Sequence, residues 1–196
     1  MERLLKLIEQ VSPLPEAARH DLQACFHPVR LPKGEYFVRA GELTYAVAFV
    51  QEGVLRAFIT TGDGTEYNKT FFAEDDLLAV YYSFLQSRPS HLSVQALTAC
   101  TLLVADYRHL EALYDRHPAL ERFARRQAEW LFVLKEQREI DLVLLDAAAR
   151  YEKFRAENPD LEQRIPQYHI ASHLGITPTQ LSRIRAGRLR PENTAQ

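Results

Sequence analysis

The chain has 196 residues, of which 46% are hydrophobic and 26% charged, and a formal net charge of −2. That balance excludes disordered and fibrous classes, and the length accommodates two unequal domains, since single cores commonly occupy about 100 to 150 residues. No apolar run approaches the roughly 20 residues of a membrane span, and the N-terminal MERLLKLIEQ is charged where a secretion signal is apolar, so a cytoplasmic protein is expected.

Residues 1–24 read as one or two short helices, with Leu4, Leu5, Ile8 and Val11 on one face and Pro13 and Pro15 interrupting. From about 28 to 106 the texture changes to short runs of Val, Phe, Tyr, Leu and Thr between glycine turns, which predicts an all-β sandwich or barrel. The clearest hairpin joins VLRAFITT to TEYNKTFF across Gly62-Asp63-Gly64. Cys25 and Cys100 are the only cysteines, and their separation fits two ordinary thiols better than a metal or redox site.

Near residue 106 the period becomes helical. Tyr107, Leu110, Leu113 and Tyr114 form a short amphipathic stretch, and Pro118 opens a much longer one reaching about Leu145. Counting heptads from Leu120 gives Leu120, Phe123, Gln127, Trp130, Leu134, Gln137, Asp141 and Leu144, a seam with polar interruptions. It suits either a partner helix or the β domain of the same chain. Asp146 is a natural hinge. Tyr151, Phe154 and Leu161 suggest a further helix ending before Asn158-Pro159, because proline pushes its predecessor out of helical angles.

Residues 164–187, RIPQYHIASHLGITPTQLSRIRAG, are the most informative. Pro166 suits a first helical turn, Ile170, Ala171 and Leu174 share a face, and Gly175 ends the helix in the left-handed region. Thr177 is then an N-cap, Pro178 the first helical position, and Gln180 the third, where its amide completes a capping box. With Leu181 and Ile184 turned inward, the pair of helices fits a helix-turn-helix. The expected DNA-facing set is Thr177, Thr179, Gln180, Ser182, Arg183, Arg185 and, just beyond, Arg188. Arg pairs bidentately with guanine and Gln with adenine. Between Gln163 and Pro191 five arginines, Arg164, Arg183, Arg185, Arg188 and Arg190, occur without an acidic residue, as a polyanion-binding surface requires. The bland alternative is a structural helical hairpin with a solvated basic face.

The order of β-roll, long helix, hinge aspartate and helix-turn-helix, with HIASHLGITPTQLSRIR as its most specific stretch, resembles the Crp/Fnr family of bacterial transcription regulators. The resemblance covers nearly the whole chain. It implies an α+β protein: a cyclic-nucleotide-binding-like β-roll of jelly-roll type at 1–117, a long dimerisation helix and hinge at 118–146, and a helix-turn-helix domain at 147–196. It also implies that Arg183 occupies the recognition-helix arginine position.

The effector pocket departs from the family pattern. Nucleotide binders carry a Gly-Glu pair, a short helix and an arginine. Aligning DDLLAVYYSFLQSRPSHLSVQALTAC without gaps puts Ala79 and Val80 at the Gly-Glu positions and Ser90 at the arginine. Serine cannot replace a charge-assisted phosphate contact, so cyclic AMP or GMP is not the expected effector. Arg88, two residues away, aims a rigid guanidinium elsewhere. Tyr81, Tyr82, Phe84 and His91 crowd the segment and either fill the pocket or line it for an unidentified, more apolar ligand, filling being the preferred reading. Two cysteines cannot hold an iron-sulfur cluster and no histidine stands out as a haem ligand, so neither metal nor cofactor is expected.

The family usually adds a β-hairpin wing after the recognition helix, whereas RLRPENTAQ cannot form one. Weaker, more salt-sensitive DNA binding is expected, with Arg188 and Arg190 as a basic arm. No nucleophile with a neighbouring base and no phosphate-cradling loop points to an enzyme. The expected partners are double-stranded DNA, a second copy of the chain and a small-molecule effector. The alternative is a signalling module whose C-terminal helices dock on a protein.

Overall fold

The computed structural model describes residues 1–187. Helices α1 (Glu2–Val11) and α2 (Glu16–Cys25) are separated at Ser12, Pro13 and Pro15 as the prolines predict, and α1 buries Leu4 and Ile8 one turn apart. Eight strands follow among the described residues: β1 (His27–Leu31), β2 (Tyr36–Val38), β3 (Ala46–Glu52), β4 (Leu55–Thr60), β5 (Glu66–Phe72), β6 (Leu77–Ala79), β7 (Ser93–Ala96) and β8 (Cys100–Asp106). Helix α3 (Tyr81–Gln86) lies between β6 and β7. All the strands pair antiparallel, in two four-stranded sheets ordered β1-β8-β3-β6 and β2-β7-β4-β5.

Strands β3 and β8 explain the stacking of layers. In a strand, alternate side chains point to opposite faces, so a run that is apolar at every position is covered on both. Ala48, Val50, Leu102 and Val104 enter the core between the sheets, with Leu55, Leu78 and Val94. Phe49, Leu103 and Ala105 point the other way, into a second core with Leu4, Ile8 and Leu22. The hairpin between β4 and β5 closes at 61–65, where the Thr61 N–H donates to the Thr65 carbonyl at 2.9 Å and Gly64 takes a φ of 85°. Gly53, between β3 and β4, has a φ of 100°, and a Cβ there would lie 2.5 Å from the Ala99 carbonyl oxygen.

Helix α4 (Tyr107–Glu111) leads to α5 (Pro118–Leu144), 27 residues long with proline in its first turn. The two alternatives for its apolar seam are divided along its length. Leu120 and Phe123 are buried in the core shared with α1 and Phe49, whereas Trp130, Leu134 and Leu144 are exposed. Phe132, Val133, Ile140 and Val143, off the seam, are exposed as well. Among the described residues no helix is long and apolar enough to cross a membrane.

The carboxylate of Asp146 caps α6 (Ala147–Glu157) by accepting from the Ala149 N–H at 2.7 Å. Leu161 is not part of that helix: Asn158 ends it, and Leu161 opens the separate turn α7 (Leu161–Arg164). Helices α8 (Gln167–Leu174) and α9 (Pro178–Arg185) complete the described chain. Pro166 stands one residue outside the first turn, as the N-cap of α8. The third core joins Tyr151, Phe154, Ile165, Ile170, Leu181 and Ile184 to Val54 and Leu97 of the β-roll. The C-terminal helices therefore pack on the roll directly.

Candidate nucleic-acid interface and sensor pocket

The turn between α8 and α9 follows from three residues. Gly175 adopts a φ of 71° and, as C-cap of α8, closes it with N–H bonds to Ala171 and Ser172 carbonyls. Thr177 Oγ1 accepts from the Gln180 N–H at 3.1 Å, and Pro178 opens α9. Only this forward half of the expected capping box is present among the described residues. Ile170 and Ala171 are fully buried and Leu181 nearly so, which fixes α9 against α8 and turns Thr179, Ser182, Arg183 and Arg185 outward; Gln180 is partly covered.

The arginines are not equivalent. Arg164 forms a fork with both oxygens of Glu74 at 2.7 Å each, and the pair holds the Glu74 carboxyl down at about 2. Arg185 Nε lies 2.9 Å from Glu162, a carboxylate that also accepts from the Tyr151 hydroxyl. Both acids come from outside the acid-free stretch. Arg183 is exposed and has no carboxylate partner among the described residues. Arg188 and Arg190, with the tail in which a wing was expected to be missing, lie outside the described residues.

The scaffold helix α8 is held to edge strand β5 by polar contacts. Arg56 on β4 is only 5% exposed. Its Nε and Nη2 donate to Gln95 Oε1 at 3.0 and 2.7 Å, its Nη1 donates to Glu66 at 2.6 Å, and its guanidinium covers the Phe58 ring. The same Nη1 lies 3.3 Å from His169 Nδ1 on α8, and Asn68 Nδ2 lies 3.2 Å from that nitrogen. Two donors on Nδ1 fix it as an acceptor, so the ring is neutral with its proton on Nε2. Burial, then Arg56, push His169 down to about 4. Asn68 Nδ2 also donates to the His169 carbonyl at 3.1 Å, and Ser172 Oγ donates to the Glu66 carbonyl at 2.8 Å. One turn on, Arg138 of α5 reaches the His173 ring at 3.1 Å and donates to its carbonyl at 3.1 Å; burial and Arg138 push that imidazole down to about 3.

The segment aligned with a nucleotide cassette packs partly on itself, and its Ala79, Val80, Tyr81, Tyr82, Phe84 and His91 also line a groove of about 1300 Å³ between α5 and the β-roll. Val80 and Phe84 are buried, Phe84 stacks on Tyr107 at 4.2 Å, and Tyr81 lies 5.1 Å from Phe84. Ser90 is buried and its hydroxyl donates to the Leu92 carbonyl at 2.6 Å. Ala79 ends β6, Arg88 is exposed, and Tyr82 and His91 stack at 4.4 Å, with Tyr82 facing solvent. Cys25 and Cys100 are free thiols. Among the described residues no cluster of three His, Cys, Asp or Glu side chains could hold a metal.

Residues 28–117 match the family model of the cyclic nucleotide-binding domain. FixK2 from Bradyrhizobium japonicum superposes with a TM-score of 0.72 at 20% identity, covering 83% of each chain. A protein from Eubacterium rectale assigned to the Crp/Fnr family of transcriptional regulators gives 0.70 at 16% identity, over 89% of this chain and 83% of that one. The fold is that of the Crp/Fnr regulators. CooA from Carboxydothermus hydrogenoformans, in a mutant form, gives 0.66 at 18% identity, over 85% of this chain and 77% of that one. No curated protein sequence matches the chain significantly.

Within this Crp/Fnr fold, sequence reasoning reached the residues of the turn between α8 and α9 but missed the bond between roll and helices: Arg56, Asn68, Arg138, His169 and His173. Two signals were available. An arginine interrupts the apolar run VLRAFI, and two histidines one turn apart on α8 leave room for the same neighbour.

Proposed function

We propose that the protein is a sequence-specific DNA-binding transcription regulator that acts as a homodimer, with α9 of each copy in the major groove of a palindromic site. The observation that carries this reading is the outer face of α9, where Thr179, Ser182 and the uncompensated Arg183 project from a helix whose inner face is fully packed. In a dimer built on α5, the two copies of α9 meet half-sites about 34 Å apart. Arg185 plays the smaller part, because Glu162 already holds it.

The cassette segment is read as filled, with the Phe84–Tyr107 stack and the internally bonded Ser90 in place of a cyclic-nucleotide phosphate site. Selecting bound sequences from a random duplex pool, then repeating with Arg183→Ala, tests the assignment. Loss of one bidentate base contact removes about 1–3 kcal/mol of discrimination at a single base pair. Arg188→Ala weakens all duplexes alike. Retention unchanged by both substitutions at low salt would overturn the reading, and a protein partner captured without DNA affinity would support docking of the C-terminal helices on protein.

A further inference from the structure

Arg183 and Arg185 both belong to the last turn of α9, yet among the described residues only Arg185 has a carboxylate partner. Residues two apart on a helix project about 200° apart, so Arg185 leaves α9 from a flank while Arg183 points away from the packed side of Leu181 and Ile184. On that flank it meets an acid built into the scaffold. Glu162 stands on α7, whose Leu161 is buried in the third core, and its side chain is 15% exposed. Its Oε1 lies 2.9 Å from Arg185 Nε and accepts from the hydroxyl of buried Tyr151 on α6. Its Oε2 lies 3.4 Å from Arg155 Nε, also on α6. Gln167 of α8 donates to the Glu162 carbonyl at 3.3 Å. Glu162 is thus held from both sides by the helices beneath α9, whereas the Arg185 side chain is 45% exposed.

We propose that Glu162 is a positioning residue that stands in for a DNA phosphate, holding Arg185 off the sugar-phosphate backbone so that α9 offers one free guanidinium, that of Arg183. The inference rests on the DNA-binding reading above and concerns the sequence-independent part of the affinity. That part grows with each phosphate a cation neutralises, because every such contact releases condensed counterions. To reach a phosphate, Arg185 has to leave a carboxylate carried by its own chain. Glu162 then keeps one guanidinium and one hydroxyl in a site that is mostly buried. Exchanging one charge-assisted partner for another yields little, and the carboxylate left behind repels the incoming backbone. Choice among sequences then falls to Thr179, Ser182 and Arg183, whose donors suit base edges.

The test is fluorescence anisotropy of the full chain on two labelled duplexes, one selected from a random pool and one scrambled, over a series of salt concentrations. Glu162→Gln keeps the size of the side chain and an acceptor for Tyr151 and removes the charge. It is expected to tighten binding to the scrambled duplex about threefold or more, and to steepen the slope of log affinity against log salt by about 0.9 for each bound chain. Damage to the fold weakens binding, so a gain separates this role from a merely structural one. Arg185→Ala added to Glu162→Gln is expected to cancel both changes, and to cost more affinity there than in the parent chain. A gain that survives Arg185→Ala is lost repulsion alone and overturns the proposal, as does a slope that Glu162→Gln leaves unchanged. If Glu162→Gln melts below the assay temperature, the Arg185 Nε–H resonance of the parent chain carries the comparison. It is expected to hold its chemical shift when the scrambled duplex is added at low salt, and a shift that follows saturation overturns the proposal. A parent chain that binds neither duplex overturns the DNA-binding reading and this inference with it, whereas parent binding that ignores Glu162→Gln overturns this inference alone.

Discussion

Arg56 carries a full charge at 5% exposure, tolerable only because Gln95, Glu66, Asn68 and His169 surround it with acceptors. Replacing it with Met keeps the stem and removes the donors, leaving those acceptors facing apolar atoms. We expect Arg56→Met to cost about 2–4 kcal/mol, read as a lower urea midpoint at unchanged slope. The glycines offer a second comparison at this scale. A side chain at Gly53 meets the Ala99 carbonyl oxygen at 2.5 Å and Cys100 Sγ at 2.6 Å, whereas one at Gly175 meets nothing within 4 Å. Both positions have positive φ. Gly175→Ala should therefore cost only the left-handed penalty of about 1–2 kcal/mol, and Gly53→Ala clearly more in the same denaturation series.

At the level of elements, the junction between β5 and α8 depends on two neutral imidazoles. His169 faces Arg56 from β4 and Glu66 and Asn68 from β5, and stacks on Tyr168 of its own helix. His173 faces Arg138 of α5, the rings of Phe71 and Phe154, and the backbone of Asn68 and Lys69. Each pKa is depressed by docking from an ordinary 6.5, to about 4 and about 3, so a released histidine binds protons more readily than a docked one. Docking stability is thus fully present above pH 6.5 and is lost as pH falls toward 4, on the order of 3 kcal/mol from His169. Hydrogen exchange in α8 should accelerate through that window, and His169→Gln should flatten the dependence; an α8 equally protected at both ends of the window would refute the coupling. This junction also marks the limit of what the chain reveals before it is folded. Local signals fixed α8 and α9, since Gly175, Thr177 and Pro178 act on their own backbone. The five-arginine stretch could not show that Arg164 and Arg185 have carboxylate partners, because Glu74 and Glu162 arrive from outside it. The heptad seam of α5 was equally ambiguous, because spacing does not say which turns of a helix its own domain covers.

For the molecule as a whole, the homodimer proposed above rests on the outer length of α5. Phe132, Val133, Val143 and Leu144 are 69%, 58%, 82% and 72% exposed, and Trp130 and Ile140 join them. Single exposed apolar residues need no explanation, but this many on one helix form a surface that is usually covered. A second copy meeting it about a two-fold axis buries each residue twice, so each substitution acts twice in the dimer. Burying one such side chain is worth roughly 1.5–3 kcal/mol, and placing a carboxylate there adds desolvation and like-charge repulsion across the axis. Phe132→Glu with Val143→Glu should leave the folded monomer's thermal melt nearly unchanged, because both positions already face solvent. Sedimentation equilibrium should show that the protein no longer dimerises at micromolar concentration. A duplex with two half-sites should lose its advantage over one with a single half-site, because two recognition helices on one body raise each other's effective concentration and two on separate bodies do not. A variant that remains dimeric and still prefers the paired site would move the interface elsewhere on the molecule.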